Sequence, residues 1–396
     1  MSNTYFFLIG RTPELSIQEI QALVTSEVTK VSDELVQVEL TDDAQATTLF
    51  YQLGGSLKVM KQVGRFTEVD EETLLDYIAA YLAQFPRPTF AIAELNRNNI
   101  AKIEPQFVKN RLKARNVSSR FIEGSRTGLS AAVLTHHDLI ELNVIRIDDD
   151  TLFTHTLATQ DIDDWTLRDR SKPYADRKKG MLPPKLARAM TNLARGNWQK
   201  IDKNQAKLAA GQKPVLYDPF CGSGTVLLEG LVLNLPVVGS DLDKDAVFGT
   251  QSNLDWFART YRRDQEGPVA REGKVFFSDA TLATTDLTGQ KVDLIVTEPF
   301  LGKPSPQESQ MPNIFKGLEK LYWGAFRQWT KLLQEDAVVV IVFPYVEFGK
   351  HAYSLESLID KLKDLGYTPL SEPIMYARPL AVVQRQVWQF VFHKQK

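Results

Sequence analysis

Apolar runs and amphipathic segments alternate regularly through the second half of the chain. Apolar runs predict strands and helical spacing predicts helices between them. The strands are expected at 214–217, 236–240, 274–277, 292–296 and 337–343, and the helices at about 224–233, 243–260, 313–334 and 354–365. The runs 381–383 and 387–392 provide closing strands. This alternation indicates an α/β fold with a parallel sheet and right-handed crossovers over residues 213–396.

The first 158 residues follow a different pattern, in which shorter strands alternate with fewer helices. Strands are predicted at 4–10, 36–40, 56–63, 89–95, 131–134, 138–145 and 151–158, and helices at 16–24, 44–53, 68–85 and 105–114. Ser16 and Glu19 have the spacing of a capping box at the start of the first helix. The order of elements predicts a small α+β domain of ferredoxin-like type over 1–65, followed by a second domain over 66–158.

A proline pair opens a helical pattern between these two halves. Pro183 and Pro184 are suited to a helix start, because proline at the first position gives up only an N–H that has no partner in the helix. Leu186, Met190 and Leu193 then fall on one face. Residues 159–212 are therefore predicted to be a linker with a leading helix.

A glycine turn follows the first strand of the α/β half. Its sequence is Asp218-Pro219-Phe220-Cys221-Gly222-Ser223-Gly224-Thr225. Glycines let the backbone bend sharply and approach a ligand, and the helix that follows offers free N–H groups. The next strand ends on Asp241, whose carboxylate is placed to accept hydrogen bonds from ribose hydroxyls. This pattern indicates a nucleotide-type cofactor, and up to this point it fits NAD as well.

The fourth strand of the α/β half ends on a second motif, Thr297-Glu298-Pro299-Phe300-Leu301-Gly302. A carboxylate before a proline at the carboxyl end of a strand lies where ligands bind in open α/β sheets. Glu298 is therefore the strongest candidate for a catalytic residue.

These two motifs together resemble the cofactor and catalytic motifs of S-adenosylmethionine-dependent amino-methyltransferases, whose second motif usually reads Asp or Asn, Pro, Pro, then Tyr or Phe. Residues 159–195 and the opening Tyr-Phe-Phe-Leu-Ile-Gly-Arg-Thr-Pro-Glu-Leu-Ser are similar to THUMP-containing tRNA guanine-N2 methyltransferases. The resemblance implies a Rossmann-like class I methyltransferase domain at 213–396, preceded by the ferredoxin-like domain at 1–65 and a THUMP-like RNA-binding domain at 66–158.

The resemblance also implies site residues. The cofactor would be bound by Asp218, Phe220, Gly222, Gly224, Thr225, Asp241, Leu242, Asp279 and Ala280. The target base would be turned out of its helix, its amino group held by Glu298 and the Pro299 carbonyl and its ring stacked on Phe300. Three positions depart from the family: Glu298 replaces Asp or Asn, Phe300 replaces the second proline, and Leu301 replaces the stacking aromatic residue.

Composition limits the number of domains, the cellular location and the kinds of site that are expected. A chain of 396 residues with 43% hydrophobic residues is long enough for two or three domains. No apolar run reaches the length of a membrane span, and the N-terminus lacks the features of a signal peptide, so a cytoplasmic protein is expected. One cysteine, Cys221, and five scattered histidines give neither a disulfide framework nor a metal-ligand spacing, so no metal is expected.

Basic residues are concentrated although the net charge is only −2. Thirteen Lys or Arg and three acidic residues lie between Arg168 and Lys213, and seven basic residues and one acidic residue lie between Arg97 and Arg120. Such stretches are suited to an RNA backbone or are simply solvated helix faces.

The leading interpretation is S-adenosylmethionine-dependent methylation of a guanosine N2 in tRNA, with tRNA as the partner and with the need for a small activator subunit left open. A DNA or rRNA amino-methyltransferase would use the same two motifs. A noncatalytic RNA-binding member of the fold is the alternative if Phe300 and Leu301 form no base platform. An NAD oxidoreductase would leave the Glu298 motif without a role.

Overall fold

The computed structural model describes residues 2–95, 103–123, 129, 133–134, 139–147, 149–176, 181–261, 273–282, 287, 291–377 and 381–395. The chain forms two compact units. The first contains Met1–Pro13, Val24–Tyr51 and Ser56–Asp164, and the second contains Glu14–Leu23, Gln52–Gly55 and Trp165–Lys396. Among the described residues, every helix is too short or too polar to cross a lipid bilayer.

The first unit is built on an eight-stranded mixed sheet. Its elements are β1 (Asn3–Ile9), β2 (Val28–Lys30), β3 (Leu35–Leu40), α2 (Asp43–Gln52), β4 (Ser56–Thr67), α3 (Glu71–Leu82), β5 (Thr89–Leu95), α4 (Pro105–Ala114), β6 (Arg120–Phe121), β7 (Ile140–Ile147) and β8 (Asp150–Thr159). The strand order is β2-β3-β1-β4-β8-β7-β5-β6. Strand β1 is antiparallel to β3 and β4, whereas β5 is parallel to β6 and β7.

Most predicted elements of this region are confirmed, including the strand Thr89–Leu95 and the helix Pro105–Ala114. Of the predicted strand at 131–134, residues 131–132 lie outside the described residues, and residues 133–134 are helical, so the strand was wrong there. Strand β4 runs through residue 65 and pairs with β8, so residues 1–65 and 66–158 share one sheet. The division into a ferredoxin-like and a THUMP-like domain stays a prediction.

The second unit is a doubly wound α/β layer structure. It contains α1 (Pro13–Leu23, from Glu14 on), α5 (Ile162–Arg170, from Trp165 on), α6 (Pro184–Gln199), α7 (Asp202–Ala209), β9 (Leu216–Asp218), α8 (Thr225–Val232), β10 (Val237–Asp241), α9 (Lys244–Tyr261), β11 (Gly273–Phe277), β12 (Val292–Thr297), α10 (Met311–Trp329), β13 (Leu333–Phe348), β14 (His351–Tyr353), α11 (Glu356–Lys363), β15 (Tyr367–Pro369), β16 (Ile374–Tyr376) and β17 (Val383–Phe392).

The sheet of this unit has the order β11-β10-β9-β12-β13-β17-β15. Strands β9 to β13 are parallel, and β17 is antiparallel to β13. The chain starts in the middle at β9, adds β10 and β11 on one side, and returns to add β12 on the other side. This reversal creates a crevice at the carboxyl ends of β9 and β12, where ligands bind in folds of this type.

Alternate residues of the central strands belong to two hydrophobic cores. Tyr217 and Ile295 pack in one core with helices α10 and α11, whereas Leu216 and Leu294 pack in the other with α6, α8 and α9. A strand with an apolar side chain at every position is what a parallel sheet covered on both faces requires. The prediction of a parallel α/β sheet over 213–396 is confirmed.

The closing strands predicted at 381–383 and 387–392 are one strand, β17. Two further details of the prediction were wrong. Helix α1 begins at Pro13, so Ser16 and Glu19 form no capping box. Glu19 is buried inside the second unit, where it accepts hydrogen bonds from the N–H groups of Gly54 (2.8 Å) and Gly55 (2.9 Å) and from Asn192 Nδ2 (2.5 Å). Burial raises the pKa of this carboxyl.

The second error concerns the basic stretch. Helix α6 begins at Pro184 and buries the predicted apolar face, but Arg188 is buried too. Arg168 Nε and Arg188 Nε each donate to Glu229 of helix α8 at 2.8 Å, and both guanidinium groups lie near the Trp165 ring. These arginines therefore fasten α5 and α6 to the helix that follows the glycine turn, and they present no charge to RNA. Lys178 and Lys179 lie outside the described residues.

Candidate functional site

The glycine turn connects β9 to α8 with two left-handed residues. Gly222 has φ of 51° and Gly224 has φ of 76°, which L side chains rarely adopt. A Cβ atom on Gly224 would lie 2.7 Å from Cγ2 of Thr250 in helix α9. Thr250 Oγ1 also donates to the Gly222 carbonyl at 2.6 Å. The turn is therefore pressed against α9, and glycine is required at position 224.

The other residues of the turn divide between the core and the site. Cys221 is buried, and burial raises the pKa of its thiol, which agrees with a packing role. Phe220 is half-buried against the hydrophobic core. Thr225 is the first residue of α8 and is buried.

Asp241 connects the turn to the second strand. Its Oδ2 accepts from the Gly222 N–H at 2.8 Å, and its Oδ1 accepts from the Asp243 N–H at 2.9 Å. The carboxylate is half-buried, and the neighbouring Leu242 is 63% exposed. A carboxylate has about four lone-pair positions, so two remain for a ligand.

The third strand brings Asp279 and Ala280 to the same edge. The Ser278 N–H donates to the Asp241 carbonyl at 3.0 Å, which fixes the end of β11 beside the end of β10. Asp279 Oδ1 accepts from the Thr281 N–H (2.8 Å) and from its hydroxyl (2.7 Å), and Ala280 is buried. The structure thus brings together the predicted cofactor residues of three successive strands.

Asp218 lies beneath the turn and joins it to the fourth strand. It is 2% exposed, and its Oδ1 accepts from Thr297 Oγ1 at 2.7 Å and from the Phe220 N–H at 3.1 Å. Burial, together with the negative charges of Asp241 and Glu298, raises the pKa of this carboxyl to about 7. Because it is enclosed, Asp218 is placed to hold the turn in shape.

We expect Asp218→Asn to change how stability depends on pH. The raised pKa means that folded Asp218 keeps a proton that the unfolded chain loses between about pH 4 and about 7, so the free energy of unfolding of the wild type falls across this window. The slope is at most about 1.4 kcal/mol per pH unit. Asparagine keeps the acceptor for Thr297 but cannot titrate, so its curve lacks this decline. Urea unfolding followed by tryptophan fluorescence measures it, because all six tryptophans lie in the second unit. Parallel curves for the two proteins would refute the assignment.

The Glu298 motif follows β12 at the same edge of the sheet. Phe300 is 62% exposed, and its carbonyl accepts from the buried Tyr322 hydroxyl at 3.0 Å. Leu301 is half-buried against the core, and Gly302 has φ of 93°. The backbone is therefore held while the Phe300 ring stays accessible, so the exposed aromatic side chain stands one place earlier than in the related motif.

Glu298 forms an ion pair that the sequence did not predict. Arg385 of β17 donates through Nε to Glu298 Oε1, and the side chains are 13% and 14% exposed, respectively. Burial raises the pKa of the Tyr322 hydroxyl, and the negative charge of Glu298 raises it as well. The candidate catalytic carboxylate is thus held by one cation in a largely enclosed place.

Lys172 was also missed as a site residue. It is 4% exposed, and its Nζ donates to Thr225 Oγ1 at 2.9 Å and to Ser223 Oγ at 3.2 Å. Burial lowers the pKa of its ammonium group to about 8, against the opposing effect of Asp169 and Glu229. In the sequence it was one of thirteen basic residues, and only the fold shows that it lies against the glycine turn.

Comparison with known proteins agrees with this geometry. Residues 173–347 match the family model described as RMKL-like, methyltransferase domain. This segment is a methyltransferase domain. The crystal structure of TrmN from Thermus thermophilus aligns with 99% of this chain and 100% of its own at a TM-score of 0.53 and 16% identity, which shows a shared fold. The predicted class I methyltransferase fold is confirmed. The alternative interpretation of an NAD oxidoreductase is not supported.

Curated relatives match less than half of this chain. The tRNA (guanine(10)-N2)-dimethyltransferase of Methanothermobacter thermautotrophicus is 31% identical over 182 residues, which are 46% of this chain and 42% of that protein. The probable tRNA (guanine(10)-N2)-dimethyltransferase of Methanothermococcus thermolithotrophicus is 34% identical over 115 residues, which are 29% of this chain and 66% of that protein. The chain therefore spans less than half the length of the first of these relatives.

Proposed function

We propose that this protein is an S-adenosylmethionine-dependent methyltransferase that modifies the exocyclic N2 amino group of a guanosine in tRNA. The observation that carries the proposal is the bond between Asp218 and Thr297, which fixes the cofactor turn of β9 beside the strand that presents Glu298. A methyl donor and an amino acceptor need such closeness, because methyl transfer depends chiefly on positioning. The names of the relatives support tRNA guanosine as the substrate.

The residues present fit S-adenosylmethionine. The remaining lone pairs of Asp241 suit the ribose hydroxyls. At Gly222 a Cβ atom would meet only the Phe220 carbonyl oxygen, at 4.0 Å, so the absence of a side chain there lets the backbone approach the ligand. Exposed Leu242 and the Asp279-Ala280 corner suit the adenine ring. When bound, the cofactor supplies an activated methyl group on a sulfonium.

Lys172 provides the positive charge that the carboxylate end of this cofactor needs. Its ammonium group lies against the first turn of α8, whose free N–H groups also favour an anion. The two side-chain groups that its Nζ contacts are neutral hydroxyls, so a cofactor carboxylate would be an anion that it binds directly. This fit separates S-adenosylmethionine from a cofactor that presents only uncharged groups to the turn.

The chain's own residues then act on the guanine. The Glu298 carboxylate and the Pro299 carbonyl would accept the two amino N–H groups, and the exposed ring of Phe300 would carry the base by stacking. A carboxylate beside the amino nitrogen stabilises the positive charge that develops as the nitrogen bonds to the methyl carbon. The accessible Phe300 ring supports a base platform and so favours a catalytic protein over a noncatalytic RNA-binding one.

We expect Lys172→Met to weaken S-adenosylmethionine binding by about 10-fold at pH 7, because one charge-assisted hydrogen bond is lost. With a pKa of about 8, Lys172 is charged below this pH and neutral above it, so wild-type affinity should fall between pH 7 and 9. Calorimetric titration across this range should show that the variant lacks this fall, since any titration of the cofactor itself is common to both proteins. Lys213→Met, at an exposed position of the same unit, is the control. Equal pH dependence in all three proteins would remove Lys172 from the site.

The proposed function is tested by incubating the purified chain alone with unmodified tRNA transcripts and methyl-labelled S-adenosylmethionine, then mapping the labelled nucleoside. We expect N2-methylated guanosine in tRNA. Label in a DNA duplex or an rRNA fragment, but not in tRNA, would favour the alternative substrates. Label that enters tRNA only after a cell extract is added would indicate an activator subunit. A tRNA substrate agrees with a cytoplasmic location.

A further inference from the structure

We propose that Arg385 is a positioning residue that holds Glu298 Oε1 so that the other carboxylate oxygen is presented to the target amino group. This inference rests on the proposed function of Glu298. Arg385 Nε donates to Glu298 Oε1, and both side chains are about six-sevenths buried. The two residues come from β17 and from the end of β12, which are separated by β13 in the sheet.

Arg385 stands on a rigid support. It is the third residue of β17 and stands opposite Pro344 of β13 and Tyr376 of β16 in the register of that strand. Backbone pairing on both sides of β17 leaves little freedom to its Cα atom. A guanidinium group is planar and presents its N–H donors in fixed directions, so it orients a carboxylate better than an ammonium group does.

The length of Glu298 explains why a positioning residue is needed. Glutamate has one more methylene group than the Asp or Asn that is usual in the related motif, and therefore one more side-chain torsion to restrict. In a site where a displacement of about 1 Å can cost about 100-fold in rate, an unrestrained carboxylate would be seldom in place. Engaging one oxygen removes this freedom and leaves the second oxygen as an acceptor.

The charge of Arg385 does not by itself favour the reaction. Positive charge develops on the amino nitrogen, and a nearby guanidinium opposes it. The neighbouring acidic groups are the buried Asp218 and the Tyr322 hydroxyl, and Glu298 raises the pKa of both. The benefit of Arg385 must therefore act through Glu298, and this gives a test that distinguishes positioning from direct electrostatic help.

The test is a double-mutant cycle on the single-turnover methylation rate, with unmodified tRNA transcripts and saturating labelled S-adenosylmethionine. Arg385→Met should slow transfer by about 10-fold without changing cofactor affinity, and Arg385→Lys should recover part of the rate. In a Glu298→Gln background, Arg385→Met should change the rate by less than about twofold, because the residue it positions has already lost its charge. Arg327→Met, at an exposed position of α10, is the control.

Three results would overturn the inference. Equal losses for Arg385→Met in both backgrounds would mean that Arg385 acts independently of Glu298. A faster Arg385→Met variant would mean that the ion pair holds Glu298 in an inactive position. A wild-type protein that methylates no RNA would overturn the proposed function and this inference together, whereas the first two results leave the wild-type activity intact.

Discussion

Replacing Glu298 with glutamine is expected to lower the single-turnover methylation rate by about 100-fold, while the affinities for S-adenosylmethionine and tRNA stay nearly unchanged. Glutamine keeps the shape of the side chain and one acceptor oxygen. It lacks the negative charge that stabilises the amino nitrogen as this atom takes up the methyl group, and loss of one such group typically costs 100-fold or more. Single-turnover rates at saturating cofactor and tRNA isolate the chemical step from binding and product release.

Because Glu298 forms an ion pair with Arg385, the Glu298→Gln variant needs a control for its effect on stability. Glu298→Gln leaves a largely enclosed guanidinium without its counter-charge, so a lower melting temperature is expected as well. The double variant Glu298→Gln with Arg385→Gln removes both charges and should recover the melting temperature but not the rate. If the double variant regained the rate, the loss in the single variant would come from the stranded arginine, and the carboxylate would have no catalytic role.

Glu298→Asp separates the length of the side chain from its charge. Aspartate is the residue usual in the related motif, but it would end about one methylene short of Arg385 Nε. If the longer side chain is matched to Arg385, shortening it should slow the reaction despite the retained charge. A faster reaction would identify Glu298 as a degraded position in an otherwise ordinary motif. Cofactor affinity, measured in parallel, should not change in either case.

The convergence of the candidate site was predictable from the sequence. Asp218, Asp241, Asp279 and Glu298 each end or follow an apolar run, and the carboxyl ends of parallel strands meet at one edge of a sheet. The length and hydrophobicity of these runs fixed the strands to within a few residues. The strand predicted at 292–296, for example, is Val292–Thr297 in the structure.

The residues that complete the site were not predictable, because their positions depend on long-range packing. Arg385 lies 87 residues after its partner Glu298, on an antiparallel strand that carries no motif. Lys172 has the same side chain as the other lysines of the basic stretch, and its burial against the glycine turn gives it a different role. A count of basic residues cannot distinguish Lys172 from Arg168 and Arg188, whose buried side chains are hydrogen-bonded to Glu229.

The prediction for helix α1 met the same limit, because the surroundings of this helix also depend on long-range packing. Its local sequence suggested a capping box, yet Glu19 is paired with Asn192, 173 residues away, inside the second unit. Strands β1 and β3, which lie close to α1 in the sequence, belong to the first unit. A local pattern therefore predicted that a helix forms here but gave no information on which unit buries it.

Asp241→Ala is expected to weaken S-adenosylmethionine binding by about 100-fold. Two charge-assisted hydrogen bonds to the ribose would be lost, at about 1.5 to 3 kcal/mol each at most. The structure adds a second cause, because Asp241 also accepts from the N–H groups of Gly222 and Asp243 and so holds the glycine turn. Calorimetric titration measures the total loss, and Asp255→Ala, at an exposed position of α9, is the control for removing a carboxylate from this unit.

The two causes are separated by changing the ligand as well as the protein. An S-adenosylhomocysteine analogue without its 2′-hydroxyl cannot make the full set of ribose contacts, so Asp241→Ala should cost it at least about 10-fold less than it costs S-adenosylhomocysteine itself. Asp241→Asn, which keeps an acceptor oxygen for Gly222, should fall between the wild type and the alanine variant for both ligands. If Asp241→Ala weakened both ligands equally, its carboxylate would serve only to hold the turn. If it weakened neither in a folded protein, the cradle formed by Gly222, Gly224 and Asp241 would bind a different kind of molecule.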